Sequence, residues 1–258
     1  MSSDQKQPKR DRRRSNRTIR GVTVLALLIA PTLDPLGAAA RPIGPYDVGG
    51  AIEVEYDESG GFTFFGNPVN PESDAARGGR WQAFEKGSAI YWHPLVSGAH
   101  ANQIGGAIRA KWGELGWENG ALRYPTTREL PTRKPGRFNH FEGGTIHWSS
   151  ATGAHNTWGA IRDKWATLSW EDGRLGFPVT DEFVARGNGA GQHFQGGSIY
   201  WSSSTGARVV VGAIRDVWAN QNWENGRYGY PISDEYDYNG GRAQDFQGGR
   251  IEWYPQPR

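Results

Sequence analysis

The sequence predicts an α+β fold: a pseudo-symmetric repeat domain of about four units, each a short antiparallel β-meander plus one helix, closed into a propeller-like ring. The first observation behind this is a repeat. Gly106-Ala107-Ile108-Arg109, Gly159-Ala160-Ile161-Arg162 and Gly212-Ala213-Ile214-Arg215 follow one another at intervals of 53 residues. Each is followed at fixed offsets by a Trp (Trp112, Trp165, Trp218), a Trp-Glu-Asn/Asp-Gly segment and an aromatic-Pro pair (Tyr124-Pro125, Phe177-Pro178, Tyr230-Pro231). Self-similarity at such a period marks units that bury their apolar faces against neighbours. The second observation is composition: residues 41–258 hold 32 Trp, Tyr and Phe but only 27 Leu, Ile and Val, so aromatic rings must build much of the core. The third is the permuted ending. The last copy stops in strands with no helix after them, so Asp245 to Tyr254 are expected to complete a partial N-terminal unit, Ile52 to Phe65, and leave no sheet edge exposed.

The third copy serves as the template for the elements. Ile161, Trp165 and Leu168 lie at i, i+4 and i+7, which predicts a helix of about three turns over Gly159 to Leu168. Ile108, Trp112 and Leu115 repeat the stripe, as do Ile214 and Trp218. Gly173 and then Pro178 are expected to stop the helix and turn the chain. Phe194, the Gly196-Gly197 turn and the alternation of Ile199 with Trp201 read as a hairpin; Ser204 to Gly206 turns into a third strand, Ala207 to Val211. A degenerate first copy runs from Gly50-Ala51-Ile52 through Gly66-Asn67-Pro68 to Phe84–Trp92, and is expected to lack the Trp-bearing helix. The units are placed at about 50–102, 106–155, 159–208 and 212–254, after a linker over 41–49.

The N-terminus carries a different message. Residues 6–20 (KQPKRDRRRSNRTIR) are cationic, Gly21 to Leu33 is mostly apolar, and Ala38-Ala39-Ala40 offers a small-residue cleavage site. A run of 13 residues falls well short of the ~20 that span a bilayer. Residues 1–40 therefore read as a signal peptide cleaved after Ala40, and the protein as secreted. The formal charge of +2 then divides unevenly: beyond residue 40 the balance is −3. Charges of both signs are interspersed there, which argues against nucleic acid as a partner and against membrane attraction once the signal is cleaved. The absence of cysteine excludes disulfides and thiolate metal sites.

Leu175-Gly176-Phe177-Pro178, with the surrounding Gly-Ala-Ile-Arg, Phe194-Gln195-Gly196-Gly197-Ser198-Ile199-Tyr200-Trp201 and Thr205-Gly206-Ala207, resembles the LGFP repeat family. The resemblance covers about residues 50–254 in four copies, of which three are good. It implies an exported, cell-wall-associated protein of mycolate-bearing Gram-positive bacteria, bound to the arabinogalactan–peptidoglycan wall. Within that family the repeats are often appended to mycoloyltransferases, esterases or amidases. The namesake tetrapeptide departs to Leu122-Arg123-Tyr124-Pro125, Tyr228-Gly229-Tyr230-Pro231 and Phe65-Gly66-Asn67-Pro68 in the other copies.

Several chemistries compete for these residues. Asp181-Glu182 and Asp234-Glu235, after Thr180 and Ser233, have the composition of a glycosidase pair. The aligned Arg128-Glu129 breaks the pattern, and a hydroxyl followed by acids serves caps and turns equally well. His93, His100, His140, His147, His155 and His193 show no metal-ligand spacing, so no metal and no cofactor is expected. No Gly-x-Ser-x-Gly or phosphate loop occurs. Binding fits repetition better. Trp117-Glu118-Asn119, Trp170-Glu171-Asp172 and Trp223-Glu224-Asn225 could each lay an indole on a sugar ring and hydrogen-bond its hydroxyls, and several weak sites gain by avidity. The same indoles also suit the gaps between units. The expected function is a non-catalytic, exported cell-wall-binding protein with wall polysaccharide as its partner. The alternatives are a wall hydrolase or esterase-like enzyme, or a scaffold recruiting wall-associated enzymes.

Overall fold

The computed structural model describes residues 40–255. The cationic and apolar runs of the expected export signal lie outside them. Residues 41–49, expected as a linker, pair instead as β1 (Arg41–Ile43) and β2 (Tyr46–Val48). They lead into α1 (Gly50–Glu58) and α2 (Gly61–Phe65). A first sheet follows: β3 (Ser73–Asp74), β4 (Arg80–Ala83), β5 (Ala89–Trp92) and β6 (Asn102–Ile104). Next come α3 (Gly106–Glu114) and a second sheet of β7 (Leu130–Pro131), β8 (Arg137–Phe141), β9 (Gly144–Ser149) and β10 (Gly153–Trp158). Then α4 (Gly159–Thr167) precedes β11 (Phe183–Ala185), β12 (Gly189–Phe194), β13 (Gly197–Ser202) and β14 (Gly206–Val210). Last are α5 (Gly212–Asn220), β15 (Tyr236–Tyr238), β16 (Gly241–Phe246) and β17 (Gly249–Trp253). All four sheets are antiparallel meanders in chain order.

The predicted helix and three strands are present in the second and third units, whereas α5 is followed by only two of the predicted strands, β16 and β17. A short leading strand (β3, β7, β11, β15) is added, because the chain leaving the Pro loop pairs for two or three residues with the next strand. Each helix begins on the Gly of Gly-Ala-Ile-Arg, which sits in the left-handed region at φ +50 in Gly106 and Gly159 and +53 in Gly212. A side chain there would be strained. The helices stop at a left-handed residue (Gly116, Ser169, Asn222), earlier than Gly173, which closes the 3-10 turn that follows.

The repeated helix Trp is fully buried in α3, α4 and α5, and it joins two sheets. Trp165 meets His147 of the preceding sheet edge-on at 4.7 Å and Phe194 of the following sheet at 5.2 Å. Trp112 does the same between Tyr91 (4.7 Å) and Phe141 (5.6 Å), and Trp218 between Tyr200 (4.7 Å) and Phe246 (5.4 Å). No unit owns its core; each shares it with the next. A polar staple runs beside each shared core. Gln82, Asn139, Gln192 and Gln244, all fully buried, donate to a carbonyl of the preceding unit (Asp47, Gln103, Asn156, Val209). Each also donates to its own Pro loop (Asn70, Thr127, Thr180, Ser233), which fixes the register between units.

Two expectations need correcting. The first copy does have its helix: α1 carries buried Tyr56 at the Trp position, packed on Phe65 and Phe84 at 5.1 and 5.3 Å. The degenerate Gly-Ala-Ile-Glu start concealed it. Consequently Ile52 to Phe65 is helical and offers no strand for Asp245 to Tyr254 to complete. Among the described residues no ring closes, since β17 pairs with β16 alone and is an edge. At the position that presents Tyr91, His147 or Tyr200 to the next helix, the last sheet has exposed Glu252. A polar residue on the outward face is how a terminal repeat ends an array.

Candidate functional site

Trp117, Trp170 and Trp223 open three 3-10 turns and take left-handed backbone, at φ 56, 52 and 52. Such a conformation costs on the order of 1–3 kcal/mol and persists only where packing dictates it. Packing does so here. The indole of Trp170 lies edge-on to Trp165 at 5.1 Å, stacked on His147 at 5.8 Å, with the Arg162 guanidinium over it at 5.4 Å. Trp223 is held in the same way by Trp218 (5.3 Å), Tyr200 (6.0 Å) and Arg215 (5.2 Å). Trp117 meets Trp112 at 5.3 Å under Arg109 at 5.3 Å. This accounts for the Arg of Gly-Ala-Ile-Arg, and it leaves Trp117, Trp170 and Trp223 half-buried. The carboxylates beside them clasp neighbouring chain: Glu118 accepts from Ala76 N (3.2 Å), Glu224 from Arg186 N (3.4 Å), and buried Glu171 lies 3.8 Å from His147. Asn119 and Asn225 donate to Glu118 and Glu224, and Asp172 pairs with Arg133.

The namesake loops are held by the shared cores. Trp112 Nε1 donates to Arg123 O (3.0 Å) and Trp218 Nε1 to Gly229 O (3.1 Å). Arg123 takes φ +58, beside +68 at Gly176 and +65 at Gly229, so the substituted loop follows the same path with an arginine in a conformation suited to glycine. The following aromatic N–H is capped in turn: Tyr124 N by Glu142, Phe177 N by Gln195 and Tyr230 N by Gln247.

The acidic pairs divide their work. Thr180 and Ser233 precede no helix; their hydroxyls accept from His193 N and Asp245 N and seat the loop on β12 and β16. Asp181 bonds Lys111 of α3 (2.9 Å) and His155 (3.0 Å), and Asp234 pairs with Lys164 of α4. The second copy reverses the charges, with Arg128 on the loop and Glu55 on α1 (2.7 Å). The strand N–H between them is served from whichever side holds the carboxylate: Asn156 N by Asp181, Val209 N by Asp234, Gln103 N by Glu55. Burial pushes the Glu55 carboxyl up, against the opposing pull of Ser59 and Arg128. Glu55, Glu58 and His100 converge closely enough to hold a cation, and the Arg128 guanidinium lies among them, bonded to both carboxylates. His93 bonds Arg77 O, His193 bonds Ser198, and burial pushes both His140 and His147 down, His147 to about 3.

The acids that follow, Glu129, Glu182 and Glu235, belong to a different place. A cavity of 290 Å³ opens at the start of α3, between Gly105–Ile108, Glu129, Arg137 and Trp148. The start of α5 repeats it at 200 Å³, between Val211–Ile214, Glu235, Arg242 and Trp253. Seven residues of each cavity correspond, and Phe64 and Ser88 line the first alone. Arg137 Nε lies 3.6 Å from Glu129 and Arg242 Nε 2.6 Å from Glu235. Each cavity thus presents an indole wall, an acceptor carboxylate and a guanidinium; Arg242 also donates to Asp237 and to Glu235 O, whereas Arg137 pairs with Glu129. In the third unit Ala190 stands at the arginine position, and Trp158, in register with Gly105 and Val211, sends its Nε1 to Glu182 Oε1 at 2.7 Å. With no arginine bonded to it, burial pushes Glu182 up to about 7, against the N–H groups of Trp158. Burial also pushes Glu129 up, opposed by Arg137. Sequence reading passed over these cavities. The available signal was an Arg eight residues after Glu in Glu72/Arg80 and Glu129/Arg137, and seven after it in Glu235/Arg242.

Together, the shared cores and recurring cavities define a tandem-repeat protein of α+β units with its pockets at the unit junctions. The chain belongs to the LGFP repeat family, whose model matches residues 65–120, 122–173, 175–226 and 229–257. That makes it a repeat protein of the cell-wall-associated type. No curated protein matches it. Among the described residues no helix is long and apolar enough to cross a membrane.

Proposed function

We propose that the protein is an exported, non-catalytic binder of cell-wall glycan, arabinogalactan or peptidoglycan, that engages the polymer at several of its units. The observation that carries this reading is the cavity that recurs with the same residue types in two units: Glu129, Arg137 and Trp148, then Glu235, Arg242 and Trp253. An indole wall covers the C–H face of a sugar ring, while a carboxylate and a guanidinium take and give hydrogen bonds to its hydroxyls. Two like sites on one chain suit a repeating polymer, because the second contact forms at high effective concentration. Of the acids that composition offered for hydrolysis, Asp181 and Asp234 tie units together through Lys111 and Lys164, Glu182 accepts from Trp158, and Glu235 lines the fourth-unit cavity. Mixing the protein with insoluble wall polymer tests the reading: depletion from solution without release of soluble sugar or lipid supports it, and turnover identifies an enzyme.

A further inference from the structure

The third unit shows what its neighbours bind. Its junction has the same parts, an acid (Glu182), the third-strand Trp201 and the first turn of α4, but its position before the helix is Trp158 rather than Gly105 or Val211. The Trp158 indole donates one hydrogen bond to Glu182, at 2.7 Å. An indole N–H donates and cannot accept. In the same unit the guanidinium is gone, replaced by Ala190. Where no indole fills the junction, Arg137 and Arg242 are kept beside their carboxylates. Loss of the donor therefore accompanies the arrival of an occupant with nothing to offer it.

We infer that Trp158 is a built-in occupant of the third junction, and that the second and fourth junctions bind a neutral sugar ring whose adjacent hydroxyls donate to Glu129 or Glu235 and accept from Arg137 or Arg242. The ring is neutral because each cavity pairs its own carboxylate and guanidinium, so an anionic group would face the Glu and a cationic one the Arg. It is hydroxylated because a purely aromatic occupant would leave the guanidinium unused, as the third unit illustrates. The indole of Trp148 or Trp253 takes its C–H face. This deepens the glycan-binding reading and rests on it: two of the junctions hold sugar, and the third is closed.

Titration calorimetry of the signal-free protein with a soluble arabinofuranosyl hexasaccharide, and separately with a galactofuranosyl one, tests the inference. Wild type is expected to take up one of them at two sites, the second and fourth junctions. Arg137→Ala and Arg242→Ala should each abolish one site with thermal unfolding little changed. Trp158→Val combined with Ala190→Arg should add a third. Stoichiometry that ignores Arg137→Ala and Arg242→Ala overturns the inference, as does preferential occupancy by a Trp-containing peptide. If the double arginine variant still sediments with wall polymer as wild type does, the pockets are wrong and the glycan-binding function stands. If wild type itself does not sediment, the function fails.

Discussion

The Arg128 guanidinium on the second Pro loop donates to the buried Glu55 carboxylate on α1 at 2.7 Å, across 73 residues of chain. Later units place Lys111 and Lys164 on the helix and Asp181 and Asp234 on the loop. The pair is thus an exchanged copy of a repeated inter-unit contact. Arg128→Ala leaves a buried carboxylate without its cation and is expected to cost about 2–3 kcal/mol. Glu55→Lys alone should cost at least as much. The double exchange Glu55→Lys with Arg128→Asp recreates the later units and should recover most of the loss, since the new Asp can serve Gln103 N as Asp181 serves Asn156 N. A double-mutant cycle by urea unfolding measures this coupling; additive losses would show that the charges act independently.

Arg123 holds a left-handed backbone, φ +58, that its counterparts leave to Gly176 and Gly229. Arg123→Gly is expected to stabilise by about 0.5–1 kcal/mol, the left-handed penalty less the added freedom of the unfolded chain. Gly176→Ala should destabilise by about 1–2 kcal/mol, because its new Cβ lies 3.2 Å from Gln195 Cβ. Opposite signs of the two changes in thermal unfolding check the argument.

His147 occupies a place filled elsewhere by Tyr91 and Tyr200, and burial lowers it from 6.5 to about 3. A depressed histidine contributes stability that is present above its unfolded value and lost as pH falls from 6.5 towards 3. The loss at pH 5 is on the order of 2 kcal/mol. His147→Tyr keeps the edge-on contact with Trp165 and should abolish this acid loss. Glu182 acts oppositely. Raised from 4.5 to about 7, it contributes stability that is present below 4.5 and lost as pH rises towards 7. Stability of His147→Tyr should therefore fall as pH rises from 4.5 to 7, and adding Glu182→Gln should flatten the curve. Denaturant unfolding across that range reads both slopes.

Trp170→Ala removes an indole wedged between Arg162, His147 and Trp165. The expected cost is about 3 kcal/mol, with a clear fall in melting temperature. Unchanged melting with weakened wall retention would instead make Trp170 a contact residue.

The sequence made the period, the helices, the hairpins and the buried Ile and Trp stripe legible, because each rests on residues repeated at fixed offsets. It concealed α1, where Tyr56 replaces Trp and Glu53 replaces Arg. It also concealed the change on β17, where exposed Glu252 stands at the position from which Tyr200 packs on the next helix. The Trp-Glu-Asn/Asp-Gly turns drew attention because composition cannot tell an indole facing solvent from one pressed between Arg215 and Tyr200. The cavities were harder to see, since Glu129, Arg137 and Trp148 meet only after the meander folds, and in the third unit the arginine is replaced by Ala190.

Binding of a neutral glycan at the unit junctions is tested most directly by a depletion isotherm on insoluble arabinogalactan–peptidoglycan, with sugar release followed in the supernatant. Saturable depletion, reversed by soluble arabinogalactan, nearly unchanged between about 0.1 and 1 M salt where exposed charges are screened, and without released sugar, is the predicted result. No depletion, binding abolished by salt, or steady release of sugar would contradict it.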